Sequence, residues 1–165
     1  MKYRLFKINN LSGDGASIYT FHVEGDDVNL YQRFVRENMD EFRKEIININ
    51  DRLLVMGNKT GAADHFFRLN EGSLGDGVCA IRDKTNLRLY VIRYGSCLVI
   101  IGSGGIKTVR ALQDDEKLKS ENYLLRRLSM QIDSKIRSGD LAFINSGFDF
   151  DGDLIFNDND DDELC

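Results

Sequence analysis

Arg88 and Tyr90 lie two residues apart in the run Leu87-Arg88-Leu89-Tyr90-Val91-Ile92-Arg93-Tyr94, and Lys107 and Arg110 follow after a second apolar run. In an extended strand, side chains alternate between two faces. Leu87, Leu89 and Val91 therefore share one face, and Arg88, Tyr90, Ile92 and Tyr94 share the other. The first reads as a core face; the second carries a cation and two phenols. Cations and aromatic rings gathered on a rigid sheet are the groups with which proteins meet phosphates and bases. The plain alternative is a sheet whose arginines are simply solvated.

Those residues need a scaffold, and the chain spells out one. Gly95-Ser96 between two runs rich in Leu, Ile, Val and Tyr predicts an antiparallel hairpin, with Lys107 and Arg110 just past its second strand. Upstream, Tyr3–Ile8 and Ser17–Val23 read as strands joined by the Gly-rich turn at Ser12-Gly13-Asp14-Gly15. Between Leu30 and Met56, apolar residues recur at threes and fours, the mark of helix with one buried face. Asn38 followed by Glu41 is a helix-start signal inside that run, so a short helix precedes a longer one, and Gly57 is placed to cap the second. His65–Asn70 and Val78–Arg82 read as short strands. A last helix spans about Asp115–Arg137, with Leu118, Leu125, Leu128, Ile132 and Ile136 inward. The order β-β-α-α-β-β-β-β-α is an α+β plan.

A chain of 165 residues is long enough for one domain with a proper core. No apolar run is long enough to span a bilayer, and the start lacks a signal-peptide pattern, so no membrane association is expected. Cys79, Cys97 and Cys165 are odd in number and have no CxxC spacing, which argues against a disulfide framework or a zinc site and fits a cytoplasmic protein. The net charge of −5 is unevenly spread. From Gly147 onward there are eight acids and no base; removing them leaves 22 bases against 19 acids, a net of +3. The expected organisation is one domain over residues 1–146 and a partly disordered acidic tail over 147–165.

Two motifs fail on spacing. Gly102-Ser103-Gly104-Gly105-Ile106-Lys107-Thr108 follows a strand and ends in Lys-Thr, but a phosphate-binding loop needs Gly directly before Lys. A glycine-rich turn leaving the sheet is the reading kept. Asp149-Phe150-Asp151-Gly152-Asp153 echoes a calcium loop, yet its Gly comes before the third acid rather than after it. No cofactor or metal is called for.

Leu53-Leu54-Val55-Met56-Gly57 closing a helix, then Phe67-Arg68-Leu69, a Gly-Val-Cys-Ala-Ile-Arg strand, the LRLYVIRYG strand and a VIIG strand leading to Lys107 together resemble the RelE/HigB group of bacterial toxins, over about residues 28–112. The resemblance implies a helical hairpin packed on a twisted antiparallel β-sheet, here followed by a C-terminal helix and the acidic tail. It implies a toxin of a toxin–antitoxin system, with a cognate antitoxin as partner and messenger RNA or the ribosome as target, and a metal-independent endoribonuclease activity in many members. A sister branch poisons DNA gyrase instead. The family's basic-aromatic strand matches Arg88 and Tyr90, and its basic residue after the last strand matches Lys107; these are the implied catalytic residues. Arg68, Arg88, Lys107 and Arg110 are the implied nucleic-acid contacts. Where many HigB-like members carry a histidine, this chain has Gly102. Cleavage needs a base, charge stabilisation and a proton donor. The cations supply the second and Tyr90 or His65 the third, but no base stands out.

Within the tail, Phe148, Phe150, Leu154, Ile155 and Phe156 interleave with the aspartates. A purely solvated tail has no use for large apolar residues. The segment is expected to lay a strand or hook on the body, with Asn157–Cys165 unstructured, and its acids are placed to cover a basic sheet face as a mimic of nucleic acid. The rival to the toxin reading is a non-catalytic interaction module on the same fold.

Overall fold

The computed structural model describes residues 1–69, 76–108 and 115–158. Strands β1 (Lys2–Lys7) and β2 (Ser17–Val23) come first, then helices α1 (Leu30–Asn38) and α2 (Arg43–Val55). Four strands follow: β3 (Phe67–Arg68), β4 (Val78–Ile81), β5 (Leu87–Tyr94) and β6 (Leu98–Ile106). Helix α3 (Glu116–Ser138) and the short strands β7 (Leu141–Ile144), β8 (Asp149–Gly152) and β9 (Ile155–Asn157) complete the α+β fold.

Seven strands form one sheet in the order β3-β4-β5-β6-β2-β1-β9, while β7 and β8 pair separately. The sheet is mixed rather than antiparallel throughout, because β2 runs parallel to β6 through Ser17–Thr20 opposite Leu98–Ile101. Nor do α1 and α2 make a helical hairpin. They are short separate helices whose apolar residues Phe34, Ile46, Ile49 and Leu53 join the same sheet core. Asn29 and Gln32 start α1 with reciprocal side-chain bonds to each other's backbone N–H. Asn38, expected to open the second helix, donates instead to the Phe34 carbonyl at 2.8 Å and closes the first.

Both sheet faces are covered. Leu89, Val91, Val99 and Ile101 are buried with α1 and α2, as strand parity predicts. Tyr90, Ile92 and Ile100, on the other face, are buried with Leu118, Leu125, Leu128 and Ile132 of α3. The face expected to present a cation and two phenols is therefore a second core face. Parity separates the two faces of a strand but does not say what lies over each.

Glycines serve the close approaches. Gly57 does not cap α2 but lies in a π-turn, Met56–Thr60, where a Cβ would stand 1.9 Å from the Leu11 carbonyl oxygen. Gly104 lies inside β6, where a Cβ would come within 1.8 Å of the Arg88 carbonyl oxygen. The Gly102–Gly105 stretch is thus the irregular end of a strand, with a register shift opposite Tyr90, and not a turn leaving the sheet.

The described part of the tail, through Asp158, is folded. Phe150 and Phe156 are buried in the α3-side core, and β9 adds to the sheet beside β1. Asn157 and Asp158, expected in the unstructured end, are held there: Asn157 pairs with Lys2, and Asp158 accepts from Arg127 at 2.6 and 3.0 Å. Cys79 and Cys97 are free thiols. Among the described residues no helix is long and apolar enough to cross a membrane.

Candidate nucleic-acid interface at the basic end of the sheet

The turn between β4 and β5 organises this end of the molecule. The Asp83 carboxylate, on a residue only 5% exposed, accepts from the Thr85 backbone N–H at 3.2 Å and from the Thr85 hydroxyl. Thr85 Oγ1 in turn accepts from the Leu87 N–H at 3.2 Å. Short polar side chains that bond their own backbone two residues on are what lock such turns. With Asp83 turned inward, its neighbours Arg82 and Lys84 are exposed.

Three of the residues expected from sequence converge on this turn. Arg68 Nη2 lies 3.5 Å from the Asp83 carbonyl oxygen, Arg88 Nη1 donates toward the Thr85 carbonyl at 3.4 Å, and the Lys107 N–H donates to the Asn86 carbonyl at 2.7 Å. Their accessibility differs sharply. Arg68 is exposed and Lys107 half-buried, whereas Arg88 is 7% exposed and Tyr90, packed with α3, is 1% exposed. A polynucleotide on the surface reaches the first two and not the last two. Burial also pushes the Tyr94 phenol well above its ordinary range, with the nearby Asp133 charge adding to the effect. Arg110 lies outside the described residues.

Beside the turn, a 3-10 turn at Asp64–Phe66 leads into β3. Arg93 of β5 holds it. Its Nε and Nη2 both donate to the Ala62 carbonyl, at 3.0 and 2.6 Å; Nη1 pairs with Asp64 at 2.5 Å, and the guanidinium lies 5.0 Å from the Phe67 ring centroid. A planar fork that satisfies a carbonyl, a carboxylate and a ring at once is a task suited to arginine and not to lysine. The strap presents His65 to solvent with its ring 4.1 Å from that of Phe66.

These pieces enclose an open cleft of about 440 Å³, lined by Arg52 of α2, His65, Phe66, Arg68, Arg82, Asp83 and Lys84. Among the described residues Arg52, Arg82 and Lys84 form no ion pair, and the one acid in the lining is committed to its own turn. Four cations, an exposed imidazole and a ring beneath it are groups with the chemistry to meet a phosphate and a flat group stacked alongside. Sequence reading missed Arg52, Arg82, Lys84 and Arg93. The signal for two of them was legible as Arg-Asp-Lys-Thr between two strands, a turn that turns its acid inward and its bases out. Among the described residues no grouping of His, Cys, Asp and Glu is placed to hold a metal ion.

Three of the described tail acids are engaged away from this cleft. Asp149 pairs with Lys7 at 2.8 Å, Asp153 with Lys135 at 2.8 Å, and Asp158 with Arg127. These contacts lie at the β1–β9 edge and along α3, and with seven strands in the sheet the β3 and β9 edges stand about 30 Å apart. Hydrogen bonds from Lys7 and Lys135 hold the Asp149 and Asp153 carboxyls below the usual carboxylate range.

Comparison with protein-family models, with characterised proteins and with solved structures finds no match to this chain.

Proposed function

We propose that this protein binds single-stranded RNA in the cleft at the β3 edge, as the toxin-like member of a toxin–antitoxin pair that its likeness to the RelE/HigB group suggests. The observation that carries the reading is the set of exposed cations without ion pairs around the locked Arg82–Asn86 turn, next to an exposed ring. In this reading Arg68, Arg82 and Lys84 meet phosphates, Arg52 closes the far wall and His65 offers a stacking surface. The likeness covers about residues 28–112, which hold helices α1 and α2 and strands β3 to β6. A cognate antitoxin is the expected protein partner.

Binding without cleavage is the second reading, and one observation favours it. Among the described residues, the cleft brings a single imidazole together with the cations, while Asp83 is buried and engaged and Tyr90 lies under α3. Strand cleavage by general acid–base chemistry calls for two proton-transfer groups at the phosphate.

A labelled single-stranded RNA titrated with protein, read by anisotropy and then run on a denaturing gel, tests both. Saturable binding that weakens in Arg82→Ala with Lys84→Ala supports the cleft. Intact RNA after long incubation favours the interaction module, and shortened RNA that His65→Gln leaves intact favours the nuclease. If the wild-type protein does not bind RNA, the proposal falls.

A further inference from the structure

The charged side chains free on the cleft wall are all donors. Guanidinium and ammonium groups have no acceptor capacity, and the lining carries four of them, on Arg52, Arg68, Arg82 and Lys84. The Asp83 carboxylate, which could accept, is taken by the Thr85 N–H and hydroxyl. Arg52 differs from the other three cations. Arg82 and Lys84 are exposed, and Arg68 is exposed with Nη2 3.5 Å from the Asp83 carbonyl oxygen. Arg52 is half-buried in the last turn of α2, and among the described residues its guanidinium has neither an ion pair nor a hydrogen bond. A partly desolvated guanidinium is costly unless something accepts from it.

We propose that Arg52 reads a base edge, and that the cleft thereby selects guanine in a single-stranded RNA. The inference rests on the cleft reading and adds its specificity. A guanidinium presents parallel N–H donors in one plane, and guanine is the base with two adjacent acceptors, N7 and O6, on one edge. On the same edge adenine sets an amino donor beside N7, cytosine presents an amino donor, and uracil offers O4 alone. A donor set against an amino group leaves both unpaired, which is how such sites discriminate. Position supports the division of labour. The exposed cations of the β4–β5 turn take the phosphate, and Arg52 meets the nucleotide from a different element. Ile49 and Leu53, beside it on α2, are buried in the core, so its backbone is held firmly. At about 440 Å³ the cleft is at the small end of ligand pockets, with room for one nucleotide at a time. The base stacks on His65, itself backed by Phe66 at 4.1 Å, with its acceptor edge toward the helix.

The test uses labelled oligouridines that carry one central guanosine, inosine, 7-deazaguanosine or adenosine, titrated with the full chain and read by anisotropy. Guanosine and inosine, which share N7 and O6, should bind about tenfold more tightly than adenosine or plain oligouridine. 7-Deazaguanosine, which lacks the N7 acceptor, should lose most of that gain. Arg52→Lys keeps the charge and loses the fork. It should melt like the wild type, bind plain oligouridine as the wild type does, and show no preference for guanosine. If Arg52→Lys melts early, the 7-deazaguanosine comparison on the wild type still decides. Equal wild-type affinity for every oligonucleotide, with binding lost in Arg82→Ala with Lys84→Ala, overturns the guanine reading and leaves the cleft standing. A guanosine preference that survives Arg52→Lys, or that inosine fails to reproduce, overturns the assignment to Arg52 and to that edge. No binding to any of them removes the cleft and this inference together.

Discussion

The two edges of the main sheet use similar cations for opposite purposes. At the β9 edge and along the adjoining side of α3, Lys7, Arg127 and Lys135 each meet a tail carboxylate. At the β3 edge Arg52, Arg68, Arg82 and Lys84 line an open cleft whose one acid among the described residues is turned into the backbone. Charge closes the fold at one edge and is left uncommitted at the other. The chain's acidic end is therefore more than a solubilising appendage, and an overall charge of −5 hides a strongly basic site.

The closed edge should fail first when its anchor is cut. Phe156 is fully buried in β9, edge-on to Phe21 at 5.8 Å and beneath Lys135. Phe156→Ala should cost about 3–5 kcal/mol in chemical denaturation; a loss below about 1 kcal/mol would mean the tail merely rests on the body. Deleting residues 147–165 should likewise destabilise the fold, not simply unmask a basic surface. In the central sheet, Leu89→Ala should cost about 2–5 kcal/mol while leaving RNA affinity unchanged. A change in RNA affinity would mean that the two layers are coupled.

Next comes Arg93→Lys, which keeps the charge but loses the fork on Ala62, Asp64 and Phe67. Hydrogen bonds to a charged group contribute about 1.5–3 kcal/mol, so the melting temperature should fall. RNA affinity should fall with it, because the strap sets His65 and β3. Unchanged RNA binding would separate the strap from the site.

The smallest effect is acid sensitivity at the closed edge. Asp149 and Asp153 have carboxyls held below their ordinary value of 3.8 in the folded protein. Their pairing stabilises the fold above that value and is lost as pH falls through the depressed folded values. These are largely surface pairs, so each contributes under about 1 kcal/mol. Melting curves between pH 5 and pH 2 should show a shallower decline in Lys7→Ala with Lys135→Ala than in the wild type. Parallel declines would assign acid unfolding to other carboxylates.

Periodicity made the elements legible and left their partners unread. Ser17–Val23, the Leu87–Gly102 hairpin and the long last helix follow from local patterns; β2 and α3 match within a residue or two, while β6 runs on to Ile106. That β2 lies parallel to β6 is a long-range pairing with no local signal. That α3 covers the Arg88 face was hidden because both faces of β5 are partly apolar, so either can be a core. The site suffered for it. Among the expected residues Arg68 lines the cleft and Lys107 meets its turn through a backbone bond to Asn86, while Arg88 and Tyr90 are buried. Arg82 and Lys84 were overlooked because a charged turn reads as solvent-facing unless its acid is known to point inward.

The most direct test compares the edges in one experiment. Single-stranded RNA affinity is measured at two salt concentrations for the wild type, Arg68→Ala with Arg82→Ala, and Lys7→Ala with Lys135→Ala. Open-edge loss should weaken binding and lower the slope of log affinity against log salt by about 1.4, two phosphate contacts' worth for a single strand. The closed-edge pair should leave both affinity and slope at their wild-type values. Equal losses in the two double variants, or no RNA binding by the wild type, would contradict the account.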